Sequence, residues 1–332
     1  MISNPTEIET MPARQGTIRL TVVTPVFNEA DNLDRYAAEV TAVLLNAPGI
    51  NARVLFVDDG STDGSWPKLC SLIAAEPRFS AIRLSRNYGA HYALAAALDA
   101  SGDALDAVAI LACDMQDPPA TVLDFVAAWR EGADIVWGKR RTRSDAGWRA
   151  KAAGLLEATL RRHVMPRHSR FTTGSFLLMD ARVLACLRQF REHSRVTFAL
   201  VAWTGFDQSV VLYDRQARRA GASGWRFAQL LNTAYDVLIG FSPMPARLIT
   251  AIGLGLSGLS LVAIVYLLAA WAFARVQPGW TGLMVTLTFC FGVLFMMLGL
   301  MAEYLHRIFI ESKNRPLYFI AESAGSLGPP RD

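Results

Sequence analysis

Two apolar stretches close this chain and restrict what the rest can fold into. Residues 248–274 and 281–302 each exceed the roughly 20 residues that a helix needs to cross a bilayer. Neither carries a charge in its middle. No soluble core needs two such runs in succession, so they are read as a transmembrane hairpin within residues 246–305. The connection between them, RVQPGW, holds one Arg, whereas Arg218, Arg219, Arg226 and Arg247 precede the hairpin and Arg307, Lys313 and Arg315 follow it. That asymmetry puts both flanks in the cytosol, with Trp271 and Trp280 in the interfacial belt at the tip. Gly253, Gly255 and Gly258, with Ser257 and Ser260, line the first run with small residues, which permits close helix packing and homo-oligomers.

The remainder reads as one globular domain. At 332 residues and 52% hydrophobic content the chain is too long and too apolar for one ordinary soluble domain of about 150 residues. Residues 1–17 are polar and acidic without an apolar core, so they form a disordered lead and not a signal peptide. The net charge of +4 is too mild to call for nucleic acid. Cys70, Cys113, Cys186 and Cys290 show no CxxC spacing, which fits buried free thiols in a reducing compartment. Residues 225–241 place apolar side chains at helical spacing with Arg226, Gln229, Asn232 and Asp236 between them, the pattern of an amphipathic helix on a membrane surface within 223–245. Residues 306–332 remain as a cytosolic tail.

Within residues 18–222, β-branched runs alternate with helical patterns of 10–15 residues, which implies a mostly parallel sheet covered on both faces. Strands are expected at 18–26, 53–57, 81–84, 107–113, 133–137, 175–179 and 208–213. Pro25, unable to donate to a ladder, is expected to end the first. Several strands run directly into polar loops. The first leads to Phe27, Asn28 and Glu29, the second to Asp58, Asp59, Gly60 and Ser61, and the fourth, in LACDMQDPP, to Asp114, Gln116 and Asp117. Ligands of open α/β sheets bind at that carboxyl edge. Asp114 and Gln116, two apart in an extended segment, can turn their oxygens to one point, and such hard donors suit Mg²⁺ or Mn²⁺ shared with a substrate's phosphates. The bland reading of the same stretch is a solvated turn with Asp117 as helix N-cap. Glu29, Asp58 and Asp59 are acceptors for base and ribose groups, and Phe27 offers a ring face. The segment 139–170 holds ten Lys or Arg, among them Arg140, Arg143 and Lys151. Arg140 and Arg143, just past a strand end, are the best placed of these for phosphate. No GxGxxG follows the first strand and no GxxxxGK[ST] occurs, so dinucleotides and P-loop chemistry are excluded and a nucleotide sugar is the remaining guest.

The motifs VVTPVFNEADNL, VDDGSTDGS, LSRNYGAHYAL and CDMQDPP, in this order, resemble glycosyltransferase family 2. More narrowly they resemble its polyprenyl-phosphate sugar transferases related to dolichol-phosphate mannose synthase, in the bacterial branch with two C-terminal membrane helices. The resemblance implies a GT-A fold, a multi-pass protein of the inner (cytoplasmic) membrane with its catalytic domain and both termini cytosolic, and Mg²⁺ or Mn²⁺ as cofactor. It implies a UDP- or GDP-sugar donor, a polyprenyl (undecaprenyl) phosphate acceptor, and inversion at the sugar carbon. Carried over by position, Pro25, Phe27, Glu29, Asp58, Asp59, Gly60 and Ser61 would hold the nucleoside, Asp114 and Gln116 the metal, and Arg140, Arg143, Lys151 and Arg218 the phosphates. Two departures stand out: Ser175, Phe176, Leu177, Leu178 replaces an Asp before Phe-Arg-Leu, and Gly221, Ala222, Ser223, Gly224 lacks the Lys of Gly-x-Ser-Lys. Two alternatives are a processive polysaccharide synthase, disfavoured by the absence of QxxRW, and a catalytically silent nucleotide-sugar-binding membrane protein.

Overall fold

A computed structural model describes residues 14–141, 175–193, 195–215 and 279–326, with six isolated positions between 255 and 266. The chain divides into two compact units. One is Met1–Leu230 with Pro316–Asp332, and the other is Leu231–Arg315.

The first unit is built on eight strands: β1 (Ile18–Val26), β2 (Ile50–Asp58), β3 (Phe79–Leu84), β4 (Ala107–Ile110), β5 (Ile135–Arg140), β6 (Leu177–Asp180), β7 (Gln208–Tyr213) and β8 (Ile320–Ala324). Their order across the sheet is β7-β5-β6-β4-β1-β2-β3-β8. Helices α1 (Ala30–Val40), α2 (Ser65–Ala75), α3 (Ala90–Ala100), α4 (Thr121–Arg130), α5 (Ala181–Leu187) and α6 (Thr197–Trp203) connect them. Strands β1, β2, β3 and β4 run parallel, as does the β5–β7 pair, whereas β6 and β8 pair antiparallel to their neighbours. The expectation of a mostly parallel sheet therefore holds, with two antiparallel insertions.

The apolar runs in β1 and β2 make sense in this setting. Val22, Val23, Val54, Phe56 and Val57 are almost wholly inaccessible because helices cover both faces. In α1, Leu33, Tyr36, Ala37 and Val40 recur at i, i+3, i+4 and i+7 and are the buried stripe. Helix α4 repeats the pattern with Val122, Phe125, Val126 and Trp129. The chain moves outward from β1 to β2 to β3, then returns to place β4 on the other side of β1. The crevice where strand order reverses therefore opens between the carboxyl ends of β1 and β4, bringing the acid-rich loops of the second and fourth strands to one edge.

Several boundaries differ from expectation. Pro25 does not end β1: it sits opposite Val57, and Val26 opposite Asp58. Pairing with β4 has already stopped at Val23, so a residue without an N–H is tolerated where one neighbour remains. Strand β4 ends at Ile110, three residues early. The lead also continues into structure at Arg14, whose guanidinium lies 2.7 Å from Asp134 and 3.2 Å from Asp180 and over the Trp129 ring. Those carboxylates are buried at the amino end of the sheet and need a countercharge there. Of the free cysteines Cys113 is buried, and Cys70, Cys186 and Cys290 only partly so.

In the second unit, helix α7 (Trp280–Ser312) runs 33 residues, roughly 50 Å at 1.5 Å per residue. Its stretch Phe289–Ser312 is long and apolar enough to cross a membrane. Phe289, Phe295, Met296 and Phe309 on it expose more than half their surface. The second apolar run is thus one helix that continues ten residues past 302. The first run lies outside the described residues except for isolated positions, Gly255 and Tyr266 among them, which are helical. The amphipathic segment 223–245 lies outside them entirely.

Candidate active site

The loops at the switch point are stitched to one another by polar side chains. After β1, Asn28 adopts a positive φ of 55° and donates its N–H to Ser61 Oγ at 2.9 Å, while its own Oδ1 accepts from Thr62 N at 2.9 Å. Glu29 N donates to Ser65 Oγ, and Asn32 Nδ2 donates to Glu29 Oε2. Phe27 stays 45% exposed at the mouth of this loop, so a ring face is available. The Pro25 carbonyl faces Cys113 Sγ at 3.6 Å, tying β1 to the chain just after β4.

Asp58 and Asp59 are both buried but point to different tasks, because successive residues of a strand face opposite sides. Asp59 accepts backbone N–H groups from Tyr88 at 2.8 Å and Gly89 at 2.9 Å, clasping the loop after β3. Burial pushes its carboxyl above the ordinary range, against the pull of those two N–H groups. Asp58 Oδ1 accepts from Ser61 N at 3.0 Å, and Asp58 Oδ2 lies 3.3 Å from Arg83 Nε. Gly60, at φ +71°, has room for no Cβ: one would come within 2.5 Å of the Arg86 carbonyl carbon.

Beyond β4, Met115 holds a positive φ of 58°, and the turn lets Gln116 N donate to Asp114 Oδ1 at 3.1 Å. Asp114 and Gln116 are both half-buried in this turn, and the bond that joins them runs from the Gln116 backbone N–H. Among the described residues no group of three or more His, Cys, Asp or Glu forms a metal cluster. One carboxylate and one amide oxygen fit a cation that keeps waters and takes further oxygens from a diphosphate, as Mg²⁺ characteristically does.

Asp117 is no solvated N-cap. It is 3% exposed, accepts from the Tyr213 hydroxyl at 2.5 Å, and has Arg215 Nε at 3.6 Å. Burial raises its carboxyl above the usual range, with Arg215 and Arg140 opposing and Asp114 adding to the rise. Burial, followed by the Asp117 charge, pushes the Tyr213 phenol up to about 12, so it stays protonated and donating. Its ring is wedged against Phe176, centroids 5.3 Å apart, and Phe176 in turn packs on Phe125 at 4.6 Å. Gly138 makes room for this, since a Cβ there would press on all three rings at 3.0 Å. Arg140, at the end of β5, lies beside the same hydroxyl. The geometry thus sets Asp117 among Asp114, Arg140, Tyr213 and Arg215, and of these Tyr213 and Arg215 are the ones that residue type alone did not single out. Arg143, Lys151 and Arg218, and Gly224 of the second departure, lie outside the described residues. Ser175 is exposed just before β6, and Leu177 is buried within it.

Residues 21–188 match the family described as glycosyl transferase family 2. The chain is similar to an uncharacterized glycosyltransferase of Synechocystis sp., 35% identical over 93% of this chain and 96% of the relative. It is also similar to the SfII prophage-derived bactoprenol glucosyl transferase of Shigella flexneri, 30% identical over 92% of this chain and 98% of that one. Among solved structures it is similar to a mannosyltransferase from Pyrobaculum calidifontis in complex with GDP-Man and Mn²⁺. That match has a TM-score of 0.45 at 15% identity over 87% of this chain and 90% of the other.

Proposed function

The chain belongs to glycosyltransferase family 2 and is a glycosyltransferase, and we propose that it moves one sugar from a UDP- or GDP-sugar to a polyprenyl phosphate at the cytosolic membrane face. The observation that carries this reading is the joining of two features at the crevice beyond β1 and β4. Asp114 and Gln116, whose oxygens could take a cation, share the turn with a buried carboxylate, Asp117, that accepts from Tyr213 and faces Arg215. The relative named for transfer involving bactoprenol supports the lipid acceptor. A helix fit to span a bilayer supports a site kept near a substrate whose tail stays in the membrane.

In this reading the nucleoside lies over Phe27 and within reach of Glu29 and Asp58, with Gly60 and Ser61 shaping the floor. An oxygen of the acceptor phosphate forms the new bond at the anomeric carbon on one face. The bond to the donor diphosphate breaks on the other, its electron pair leaving with the nucleoside diphosphate, so the sugar inverts. The attacking oxygen is already ionised at neutral pH, so no general base is needed, which accommodates Ser175 where relatives carry an acid. Mg²⁺ or Mn²⁺ held by Asp114 and Gln116 would supply neutralisation of the leaving diphosphate. Arg140 and Arg215, held in place by Asp117 and the protonated Tyr213, supply preorganised positive charge where negative charge develops.

The test is direct. Protein purified in detergent, given undecaprenyl phosphate and a panel of UDP- and GDP-sugars, is expected to yield a lipid carrying a single sugar. Asp114→Ala is expected to lose at least about 100-fold in turnover while melting as the unsubstituted protein does. Turnover undiminished in that variant, or in excess chelator, would remove the metal from the mechanism. A polymeric product would replace this reading with a processive synthase.

A further inference from the structure

Strand β8 returns to the sheet only after the long apolar helix, and it brings one carboxylate to the nucleoside side of the crevice. It pairs antiparallel with β3, placing Glu322 directly opposite Arg83. Arg83 Nη1 donates to Glu322 Oε1 at 2.8 Å, while the other carboxylate oxygen accepts from Trp66 Nε1 at 3.0 Å. The guanidinium is engaged on its remaining edges as well. Nε faces Asp58 Oδ2 at 3.3 Å and Nη2 donates to the Ser61 carbonyl at 3.3 Å. Asp58 is wholly buried, and among the described residues its Oδ2 accepts no hydrogen bond, so Arg83 is the charge that stabilises it. A planar fork with three separate anchors has one orientation, whereas a fork that has lost its outer anchor has several.

We propose that Glu322 is a positioning residue for the donor nucleoside: acting through Arg83, it holds Asp58 and the Gly60–Ser61 turn in the geometry that receives the nucleotide. The inference rests on the nucleotide-sugar reading above. Ser61 transmits the effect further, because its Oγ accepts the Asn28 N–H and so registers the loop after β1 against the loop after β2. The carboxylate that completes the nucleoside pocket is thus encoded some 260 residues after the pocket's own motifs, beyond the apolar runs. A seam that merely sealed the sheet edge would have no need of a charged group aimed at the cation that, among the described residues, pairs with Asp58.

The experiment uses the full chain in detergent with UDP and GDP as probes, titrated calorimetrically in the presence of Mg²⁺, alongside transfer kinetics. Glu322→Gln keeps an oxygen for Trp66 and removes the charge. It is expected to weaken binding of the preferred nucleotide about three- to fivefold, the scale of a half-exposed ion pair, and Glu322→Lys more than tenfold. The loss should fall on the donor KM, with the acceptor KM and kcat unmoved. In an Arg83→Gln background the Glu322 substitution should add nothing, because its route of action is already gone. Trp66→Phe removes the indole N–H that Glu322 accepts while keeping an aromatic ring beside the Arg83 guanidinium, and it should lower the melting temperature while leaving donor KM intact. Nucleotide affinity identical in Glu322→Gln and the unsubstituted protein overturns this inference alone, as does an equal loss in Trp66→Phe or an effect that persists without Arg83. Failure of the unsubstituted protein to bind any nucleotide overturns the donor reading itself.

Discussion

Gly60 and Asp59 show how a single residue can be legible in type and opaque in role. The DDGS run announces a loop at a strand end, yet nothing in it tells which acid faces which partner. Pairing alternates by one residue, so Asp58 meets Arg83 and Asp59 meets the Tyr88 and Gly89 amides. Gly60→Ala is expected to cost more than about 2 kcal/mol. It combines a left-handed backbone with a Cβ driven into the Arg86 backbone, and a denaturant titration measures the loss. Tyr213→Phe leaves the buried Asp117 short of a donor, and a destabilisation of about 1–3 kcal/mol is expected from the same measurement. A pH prediction belongs to Glu76, whose carboxyl is drawn down to about 2 by hydrogen bonding to Arg78. A depressed carboxyl stabilises the fold above its ordinary value and loses that contribution as pH falls through the depressed one. The advantage of the unsubstituted protein over Glu76→Gln should therefore be constant above about pH 5 and shrink between about 4.5 and 2. Parallel unfolding curves across that window would refute it.

Elements divide according to whether a local pattern or a neighbour creates them. Strands β1 and β2 and helices α1 and α4 were readable from periodicity, since burial on both faces of a sheet, or along one helical stripe, dictates residue type. Strand β8 was not. Its sequence, IAESA, is largely exposed and lacks apolar alternation, and it is a strand because β3 offers an unpaired edge. Deleting residues 318–332 should therefore lower the melting temperature and, by baring the β3 edge, promote concentration-dependent association. Light scattering that stays monomeric with an unchanged melting point would contradict this. Helix α7 outruns the apolar stretch because backbone hydrogen bonding does not stop where Glu303, His306 and Arg307 begin.

At the scale of the whole molecule, the chain should behave as an integral membrane protein: pelleted with membranes after alkaline carbonate and released only by detergent. Release by carbonate would remove the bilayer from the account of the acceptor. The amino-acid sequence by itself determined the α/β alternation, the acid-bearing strand ends, the family and the apolar C-terminal segment. Each of these is written in neighbouring residues through periodicity, turn chemistry or length. Only the tertiary structure decided that Asp117 is a buried partner of Tyr213 and Arg215, and that Glu322 reaches Arg83 from the far end of the chain. Those pairings join residues roughly 100 and 240 positions apart, and contact between distant segments is set by strand order and register, which no local pattern encodes.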